Sequence, residues 1–363
     1  MKPTEALNAA GQSLWLDNIT RTMLDDQTLA GHIDEQSVTG LTSNPTIFEK
    51  AIAAGSAYDD QIAELGQDGR SDEELFFALA IDDLQRAADL FAEVHERTAH
   101  LDGFVSLEVS PELAFDTAGA TFAQASDLHQ RMERPNVYIK IPGTKEGLPA
   151  IAQAIHAGIP INVTLLFDSA QHLAAAEAWM EGTERRIADG LPPDVPSVAS
   201  LFMSRWDVKA NPAVPAELKD KLGLAIGGRA YRAYLELLAS PRMQRLMNAG
   251  ARPQRLLWAS TGTKDPETSD TLYIDGLASP YTVNTMPDST LEAYADHGAV
   301  PPRLLAPDGG DAEEVLAAFA QAGVDVAAYA DELQREGAQK FVDSWHSLLG
   351  TIKDKRAAVA AGR

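Results

Sequence analysis

The segment Asn136-Val137-Tyr138-Ile139-Lys140-Ile141-Pro142-Gly143-Thr144 has the pattern of a short buried parallel strand. Its β-branched and aromatic residues are followed by Pro142-Gly143, which ends the run. Lys140 lies near the end of this strand, where an ammonium group costs several kcal/mol unless it has a partner. Burial also makes a lysine amine usable as a nucleophile toward a carbonyl group. The alternative is an ordinary lysine whose side chain reaches solvent from the strand end.

Short apolar runs of this kind recur along the chain and alternate with helical patterns. The predicted strands are residues 14–17, 38–42, 103–109, 137–141, 159–166, 197–202, 255–260 and 282–285. Eight strands separated by helices predict an α/β fold of the (β/α)8 TIM-barrel type with additional helices. Residues 1–363 would then form a single barrel domain.

The spacing between predicted strands is unusually long at two places, between the second and third strands and between the sixth and seventh. Helical insertions are expected at both, and a C-terminal helical extension is expected over about residues 311–357. Ser71, with Glu74 three residues later, has the pattern of a capping box and predicts one long helix to about Ala99. A further helix is predicted from Ser169 to about Met180.

Composition limits the classes of partner. The chain has 53 acidic and 30 basic residues and a formal net charge of −23. Such a surface repels nucleic acids and anionic membranes, so neither is expected as a partner. There are no cysteines, no apolar run of about 20 residues that would span a membrane, and no apolar signal segment after Met1. A cytoplasmic location is therefore expected. An anionic substrate would require a site that concentrates lysine and arginine.

Polar residues collect where the predicted strands end. In a (β/α)8 barrel the C-terminal strand ends and the loops after them form the active site. The set comprises one candidate amine nucleophile, two carboxylates, several neutral hydrogen-bonding groups and two further cations: Asp17, Thr42, Asn44, Glu108, Lys140, Asn162, Thr164, Ser200, Arg205, Ser260 and Lys264.

Each carboxylate has two interpretations. Asp17 closes the first strand and, with restricted solvent and a raised pKa, could transfer protons near neutral pH. It could instead form an Asx-type turn with Asn18 that caps the next helix. Glu108 lies inside the third strand, where an unpaired carboxylate would be costly. It could orient a catalytic water or could simply be the ion-pair partner of Lys140.

The neutral and cationic groups also have structural alternatives. Asn162 and Thr164 are two residues apart on one strand and therefore share a face, where they could bind a polyol or form an internally satisfied polar layer. Arg205 and Lys264 follow the sixth and seventh strands near serine hydroxyls and could bind a phosphate. They could instead pair with neighbouring aspartates on the surface.

Several other site classes have no pattern in the sequence. There is no glycine-rich dinucleotide motif and no phosphate loop ending in Gly-Lys-Ser/Thr. The eight histidines are scattered without metal-ligand spacing. Neither a metal nor a cofactor is therefore predicted.

The strand-end residues lie in segments that resemble the longer monofunctional bacterial transaldolases. The segments are residues 13–17 (SLWLD), 40–48 (GLTSNPTIF), 105–111 (VSLEVSP), 136–144 (NVYIKIPGT), 161–165 (INVTL), 259–264 (ASTGTK) and 282–287 (TVNTMP). They occur in order over most of the chain. The resemblance implies a cofactor-free enzyme on a (β/α)8 barrel.

The resemblance also implies roles for individual residues. Lys140 matches the Schiff-base lysine and Asp17 the general acid/base, while Glu108 and Thr164 match residues that hold a catalytic water. The residues implied at the substrate are Asn44, Asn162, Ser200, Arg205 and Ser260, to which the strand-end Thr42 is added. One departure concerns Lys264, which stands where shorter relatives carry a second phosphate-binding arginine soon after the seventh strand.

The implied activity belongs to the non-oxidative pentose phosphate pathway. It transfers a dihydroxyacetone unit from sedoheptulose 7-phosphate or fructose 6-phosphate to glyceraldehyde 3-phosphate or erythrose 4-phosphate. The expected partners are these phosphorylated sugars, and the protein would be a monomer or a homodimer. The alternatives are an aldolase that releases dihydroxyacetone to water and a sugar-phosphate-binding barrel without turnover.

Overall fold

Eight parallel strands lie in one sheet in the computed structural model, which describes residues 1–66, 69–117 and 119–361. The strands are β1 (Gln12–Leu16), β2 (Val38–Leu41), β3 (Val105–Glu108), β4 (Val137–Pro142), β5 (Ile161–Leu166), β6 (Ser197–Phe202), β7 (Arg255–Ala259) and β8 (Thr282–Met286). Their order in the sheet is β2-β1-β8-β7-β6-β5-β4-β3. The predicted (β/α)8 barrel is confirmed.

The two ends of the sheet meet at Gly40. This residue of β2 bridges to Phe104 in a parallel pairing, and the Leu41 amide donates to the Phe104 carbonyl at 2.9 Å. A Cβ atom at Gly40 would lie 2.7 Å from the Trp15 ring and 2.8 Å from the Phe104 carbonyl oxygen. Only glycine therefore allows the close approach that joins β2 to β3.

Helices follow the strands and surround them. In chain order they are α1 (Pro3–Ala9), α2 (Arg21–Asp25), α3 (Thr28–Gln36), α4 (Pro45–Ala53), α5 (Asp59–Leu65), α6 (Asp72–Leu90), α7 (Ala92–Arg97), α8 (Ala120–Met132), α9 (Leu148–Ala157), α10 (Ser169–Ala188), α11 (Ser204–Ala210), α12 (Leu222–Leu238), α13 (Pro241–Asn248), α14 (Leu272–Gly276), α15 (Asp288–His297), α16 (Ala312–Gln321) and α17 (Val326–Ala361). Short 3-10 turns occupy Pro111–Leu113, Asn211–Ala213 and Ala216–Leu218. None of these helices, within the described ranges, is long and apolar enough to cross a membrane.

Both predicted insertions are helical. Helices α4 to α7 lie between β2 and β3, and α11 to α13 lie between β6 and β7. The capping box at Ser71 and Glu74 is confirmed. The prediction of one helix from there to about residue 99 is wrong, because the chain passes from α6 to α7 at Phe91. Helix α10 continues to Ala188, eight residues beyond the predicted end at Met180.

Helix α17 packs across the α4–α6 insertion and reaches β5. Its Trp345 ring is perpendicular to Phe76, with 5.0 Å between the ring centroids, and lies 5.7 Å from Phe77. Trp345 and both phenylalanines are buried. Perpendicular aromatic pairs add stability beyond the area they bury. This aromatic cluster fixes the helix close to the C-terminal ends of β4 and β5.

Candidate active site

Lys140 lies on β4 between two polar residues of the neighbouring strands. The strand register places it opposite Glu108 of β3 and opposite Asn162 of β5. Its Nζ atom is 3.2 Å from Glu108 Oε2 and donates to the Ser43 carbonyl at 3.2 Å. The residue is only 4% exposed. The interpretation of Lys140 as a lysine that reaches solvent is therefore wrong, and the ion pair with Glu108 is present.

Glu108 is an unusual carboxylate because it is buried beside a second acid. Burial raises the pKa of Glu108, and the charge of Asp17 acts in the same direction. The Lys140 ammonium opposes this shift. Such a group can exchange a proton with its neighbours at a pH where an exposed glutamate stays ionised. The role of Glu108 toward a water molecule stays a prediction.

Asp17 follows β1 directly and faces the same region. Its Oδ1 atom accepts a hydrogen bond from Thr42 Oγ1 at 2.8 Å, and the Thr42 hydroxyl lies 2.7 Å from that of Thr285. Burial raises the pKa of Asp17, against the attraction of Lys140. The Asx-turn alternative is wrong, because the residue that caps α2 is Thr20. The Thr42 hydroxyl thus holds the Asp17 carboxylate where the charge of Lys140 acts on it.

The polar layer beside Lys140 is partly satisfied from within. Ser200 Oγ donates to Asn162 Oδ1 at 2.7 Å, and Asn162 Nδ2 donates to Ser106 Oγ at 3.2 Å. Thr164 is different, because its hydroxyl is fully buried and has no hydrogen-bond partner among the described residues. The predicted alternative, a polar layer whose groups bond to one another, is therefore confirmed for Asn162 and wrong for Thr164. An unpartnered buried hydroxyl calls for an explanation.

Arg205 stands at the start of α11 without a carboxylate partner among the described residues. The predicted alternative, a pair with Asp207, is wrong. The Asp207 carboxylate accepts hydrogen bonds from the amides of Leu222 and Gly223 and from the Tyr273 hydroxyl. Burial lowers the pKa of the Arg205 guanidinium. The charge of Glu336 opposes this shift. A partly desolvated arginine without a direct ion pair favours an anionic ligand.

Ser260 and Lys264 complete this side of the site. Ser260 has a left-handed backbone (φ 54°), and its hydroxyl lies 3.0 Å from that of Ser204. Lys264 is exposed, and the described residues offer it no ion pair, so the alternative pairing with Asp265 is not formed. The charge of Lys264 lowers the pKa of Asp17, which indicates that the two side chains face a common space.

These residues surround a cavity of about 660 Å³. The predicted residues in its wall are Asp17, Thr42, Asn44, Lys140, Ser200, Arg205, Ser260 and Lys264. Asn44 also caps α4, since its Oδ1 atom accepts from the Ile47 amide at 3.1 Å. Glu108, Asn162 and Thr164 lie outside the wall, on the strands that flank Lys140. Within the described ranges no cluster of three or more His, Asp or Glu side chains could hold a metal ion.

Some residues of the cavity were not predicted from the sequence. The additional wall residues include Lys50, Ser204, Thr285, Lys340 and Phe341. The Phe341 ring centroid lies 5.7 Å from Lys140 Nζ. Ser204 directly precedes the predicted Arg205, and Thr285 is the last residue of the predicted eighth strand, so both could have been found from the sequence. Nothing in the sequence pattern of α17 indicates that Lys340 and Phe341 face the barrel.

The charge of the cavity wall is opposite to that of the whole chain. The acidic side chains in the wall are Asp17 and Glu336, whereas the basic ones are Lys50, Lys140, Arg205, Lys209, Lys264 and Lys340. Among these cations, Lys209 is paired with Glu332 and Glu336. A cation-rich cavity in a chain of net charge −23 meets the condition for binding an anionic substrate.

Comparisons with known proteins agree with this arrangement. The sequence model of the transaldolase/fructose-6-phosphate aldolase family matches residues 14–352. A protein named transaldolase from Parafrankia sp. (strain EAN1pec) is 44% identical over 99% of this chain and 100% of its own length. Transaldolases of Frankia alni and Kocuria rhizophila are also 44% identical, over 96% and 99% of this chain and the same shares of their own. The chain belongs to the transaldolase/fructose-6-phosphate aldolase family.

Proposed function

We propose that this chain is a transaldolase that acts through a Schiff base on Lys140. The donors are sedoheptulose 7-phosphate or fructose 6-phosphate, and the acceptors are glyceraldehyde 3-phosphate or erythrose 4-phosphate. The observation that carries the proposal is the buried Lys140–Glu108 pair at a cavity rich in cations. A buried amine forms an iminium with a ketone, and the cations suit a sugar phosphate.

The first half-reaction begins with the amine. Unprotonated Lys140 Nζ attacks the C2 ketone of the donor and forms a carbinolamine, which loses water to give an iminium. We assign the proton transfers of this dehydration to Glu108, which is 3.2 Å from Nζ. Thr164, with its unpartnered buried hydroxyl, is assigned with Glu108 to hold the water that carries those protons.

Carbon–carbon bond cleavage is assigned to Asp17. Its carboxylate takes the proton of the C4 hydroxyl while the C3–C4 bond breaks, and the electron pair moves into the iminium to form an enamine. The aldose phosphate leaves, and the three-carbon unit stays on Lys140. Protonated Asp17 then returns its proton to the carbonyl oxygen of the acceptor aldose phosphate as the new bond forms. The raised pKa of Asp17 suits both directions.

The remaining residues are assigned to binding. Arg205, Ser260 and Ser200 are proposed to bind the phosphate side of the substrate, with Lys264 as an exposed second cation. Asn44 and Asn162 are proposed to contact hydroxyl groups of the donor. Thr42, predicted as a substrate-binding residue, donates a hydrogen bond from its hydroxyl to the Asp17 carboxylate. We therefore propose that it acts on the substrate by orienting that carboxylate.

The test is reduction with borohydride in the presence of fructose 6-phosphate, followed by peptide mass spectrometry. We expect a dihydroxyacetone-sized adduct on the peptide that contains Lys140. The substitution Lys140→Met keeps the side-chain length and removes the amine, so it should abolish both the adduct and sugar-phosphate turnover. Lys145→Met, at an exposed position in the loop after β4, is the matched control.

Two outcomes would redirect the proposal. If folded protein formed no adduct, the Schiff-base mechanism would be refuted and a barrel that only binds sugar phosphates would replace it. If the adduct formed but free dihydroxyacetone accumulated at the same rate with and without an acceptor aldose phosphate, the activity would be that of an aldolase.

A further inference from the structure

The backbone directly after Thr164 has a rare conformation. Leu165 has a positive φ of 60°, and the pairing between β5 and β6 shifts register between Val163 and Leu166. A left-handed conformation is rare and strained for a residue other than glycine, asparagine or aspartate. Such strain persists only where the surroundings hold it in place. The bulge determines the direction of the Thr164 side chain, because the two residues are adjacent.

Gln334 of α17 holds this bulge from outside the sheet. Its Nε2 atom donates to the Leu165 carbonyl at 2.9 Å and to the Gly143 carbonyl at 3.2 Å. The Gly143 amide in turn donates to the Thr164 carbonyl at 2.7 Å. One side-chain amide therefore connects the end of β4, which carries Lys140, to the end of β5, which carries Thr164.

The same face of α17 approaches the site at two further positions. A Cβ atom at Gly337 would lie 3.0 Å from the Leu165 side chain, tighter than most packed contacts, so glycine allows the helix to lie this close. One turn further on, the Phe341 ring lies 5.7 Å from Lys140 Nζ. Gln334, Gly337 and Phe341 share this face because they are three and four residues apart.

We propose that Gln334 is a positioning residue for the reaction. By binding both strand ends, it keeps Leu165 in its left-handed conformation and fixes the Thr164 hydroxyl relative to Lys140 Nζ. Loss of the amide donor lets the bulge relax and moves the hydroxyl, which slows proton transfer during iminium formation. This inference rests on the proposed function, because it assigns Gln334 to the same Schiff-base step.

The inference is tested by removing the amide donor of Gln334. Gln334→Met keeps the length of the side chain, and Gln334→Glu keeps its shape. We expect kcat and the rate of borohydride trapping with fructose 6-phosphate to fall about 10- to 100-fold in both variants, as for other residues that orient a catalytic group. Inhibition by inorganic phosphate should stay within about two-fold, because the Arg205 side of the cavity is not contacted by Gln334. Gln339→Met is the control, since Gln339 lies on the same helix, is exposed and bonds to Asp343.

The outcomes distinguish a positioning role for Gln334 from a role in general stability and from failure of the proposed function. An unchanged trapping rate in folded Gln334→Met would overturn it. An equal fall in trapping and in phosphate binding, or loss of the fold in both variants, would also overturn it, because Gln334 would then serve general stability. If wild-type protein itself formed no adduct, the proposed function would fail instead, so the two failures are distinguishable.

Discussion

At the scale of single residues, the site combines two acids and one amine whose environments differ. Glu108 is buried against Lys140, whereas Asp17 is only half-buried and is held by the hydroxyl of Thr42. Burial raises the pKa of both carboxyl groups. In the proposed mechanism the acid at the cavity wall exchanges protons with a substrate hydroxyl, while the deeper acid exchanges them with the amine.

This division of roles predicts the behaviour of Asp17→Asn. The variant still has its amine and Glu108, so it should form the iminium, but it has no base for the C4 hydroxyl. We expect kcat to fall by about 10²- to 10⁴-fold, the usual contribution of general acid–base catalysis. Borohydride should then trap the intact six-carbon sugar phosphate on Lys140, seen as a heavier adduct by mass spectrometry. A three-carbon adduct formed at the wild-type rate would contradict this role for Asp17.

The sequence was informative about Lys140 for a physical reason. An isolated lysine among β-branched residues is costly unless it is used or paired, so its burial beside an acid could be inferred from its neighbours. The position of Phe341 could not be inferred in this way. Its approach to Lys140 depends on how α17 packs, and helical periodicity does not indicate which distant element a helical face will contact.

At the scale of elements, the helical insertion after β2 is anchored to α2, which begins at Arg21. Asp83 of α6 is fully buried and accepts hydrogen bonds from Arg21 Nε and from the Tyr58 hydroxyl, both at 2.8 Å. The Arg21 guanidinium also lies 4.4 Å from the centre of the Tyr58 ring. This cluster connects α2, the α4–α5 segment and α6.

Removal of the buried acid should destabilise the protein strongly. Asp83→Ala leaves Arg21 buried without its closest partner, which typically costs about 3–5 kcal/mol in the free energy of unfolding. Urea denaturation monitored by circular dichroism would measure this loss. Asp82→Ala is the control, because Asp82 is half-exposed and contacts the same guanidinium at 3.2 Å. We expect a smaller loss there, since Asp83 stays paired with Arg21 and the solvated Asp82 carboxylate gains less from the contact. Equal losses in the two variants would contradict the anchoring role of Asp83.

Short sequence patterns predicted where helices begin better than where they end. Ser71 and Glu74 satisfy backbone groups within one turn, so the start of α6 could be predicted from four residues. The division between α6 and α7 at Phe91 has no glycine or proline to mark it. It depends on packing, since Phe91 is fully buried, and single-sequence patterns do not report packing of this kind.

At the scale of the whole molecule, one buried histidine makes stability depend on pH. His172 of α10 is 1% exposed, and neither ring nitrogen has a hydrogen-bond partner among the described residues. Its ring meets Tyr234 of α12 edge to face, 5.9 Å away. Burial lowers the pKa of His172 to about 4. The folded protein therefore keeps this ring neutral at a pH where the unfolded chain binds a proton.

The sign of the effect follows from the two pKa values. Between pH 6.5 and about 4 the unfolded state binds more protons at this residue, so stability is lost as the pH falls through that window. The loss from His172 reaches about 3 kcal/mol near pH 4. We expect His172→Leu to reduce the fall in the free energy of unfolding between pH 6.5 and 4, measured by urea titrations at each pH. Identical pH profiles for wild type and variant would refute the assignment.

The position of α17 in the chain also determines when the site becomes complete during synthesis. Lys140, Glu108 and Asp17 all precede β8, whereas the helix that brings Phe341 and Gln334 to them runs from Val326 to Ala361. At about 5–20 residues per second, residues 287–361 need about 4–15 s after the last strand has been made. During that interval a ribosome-bound chain carries Lys140 and all eight strands without the helix that packs beside them. Translation thus completes the strands around Lys140 before it supplies Gln334 and Phe341, which lie beside the strand ends.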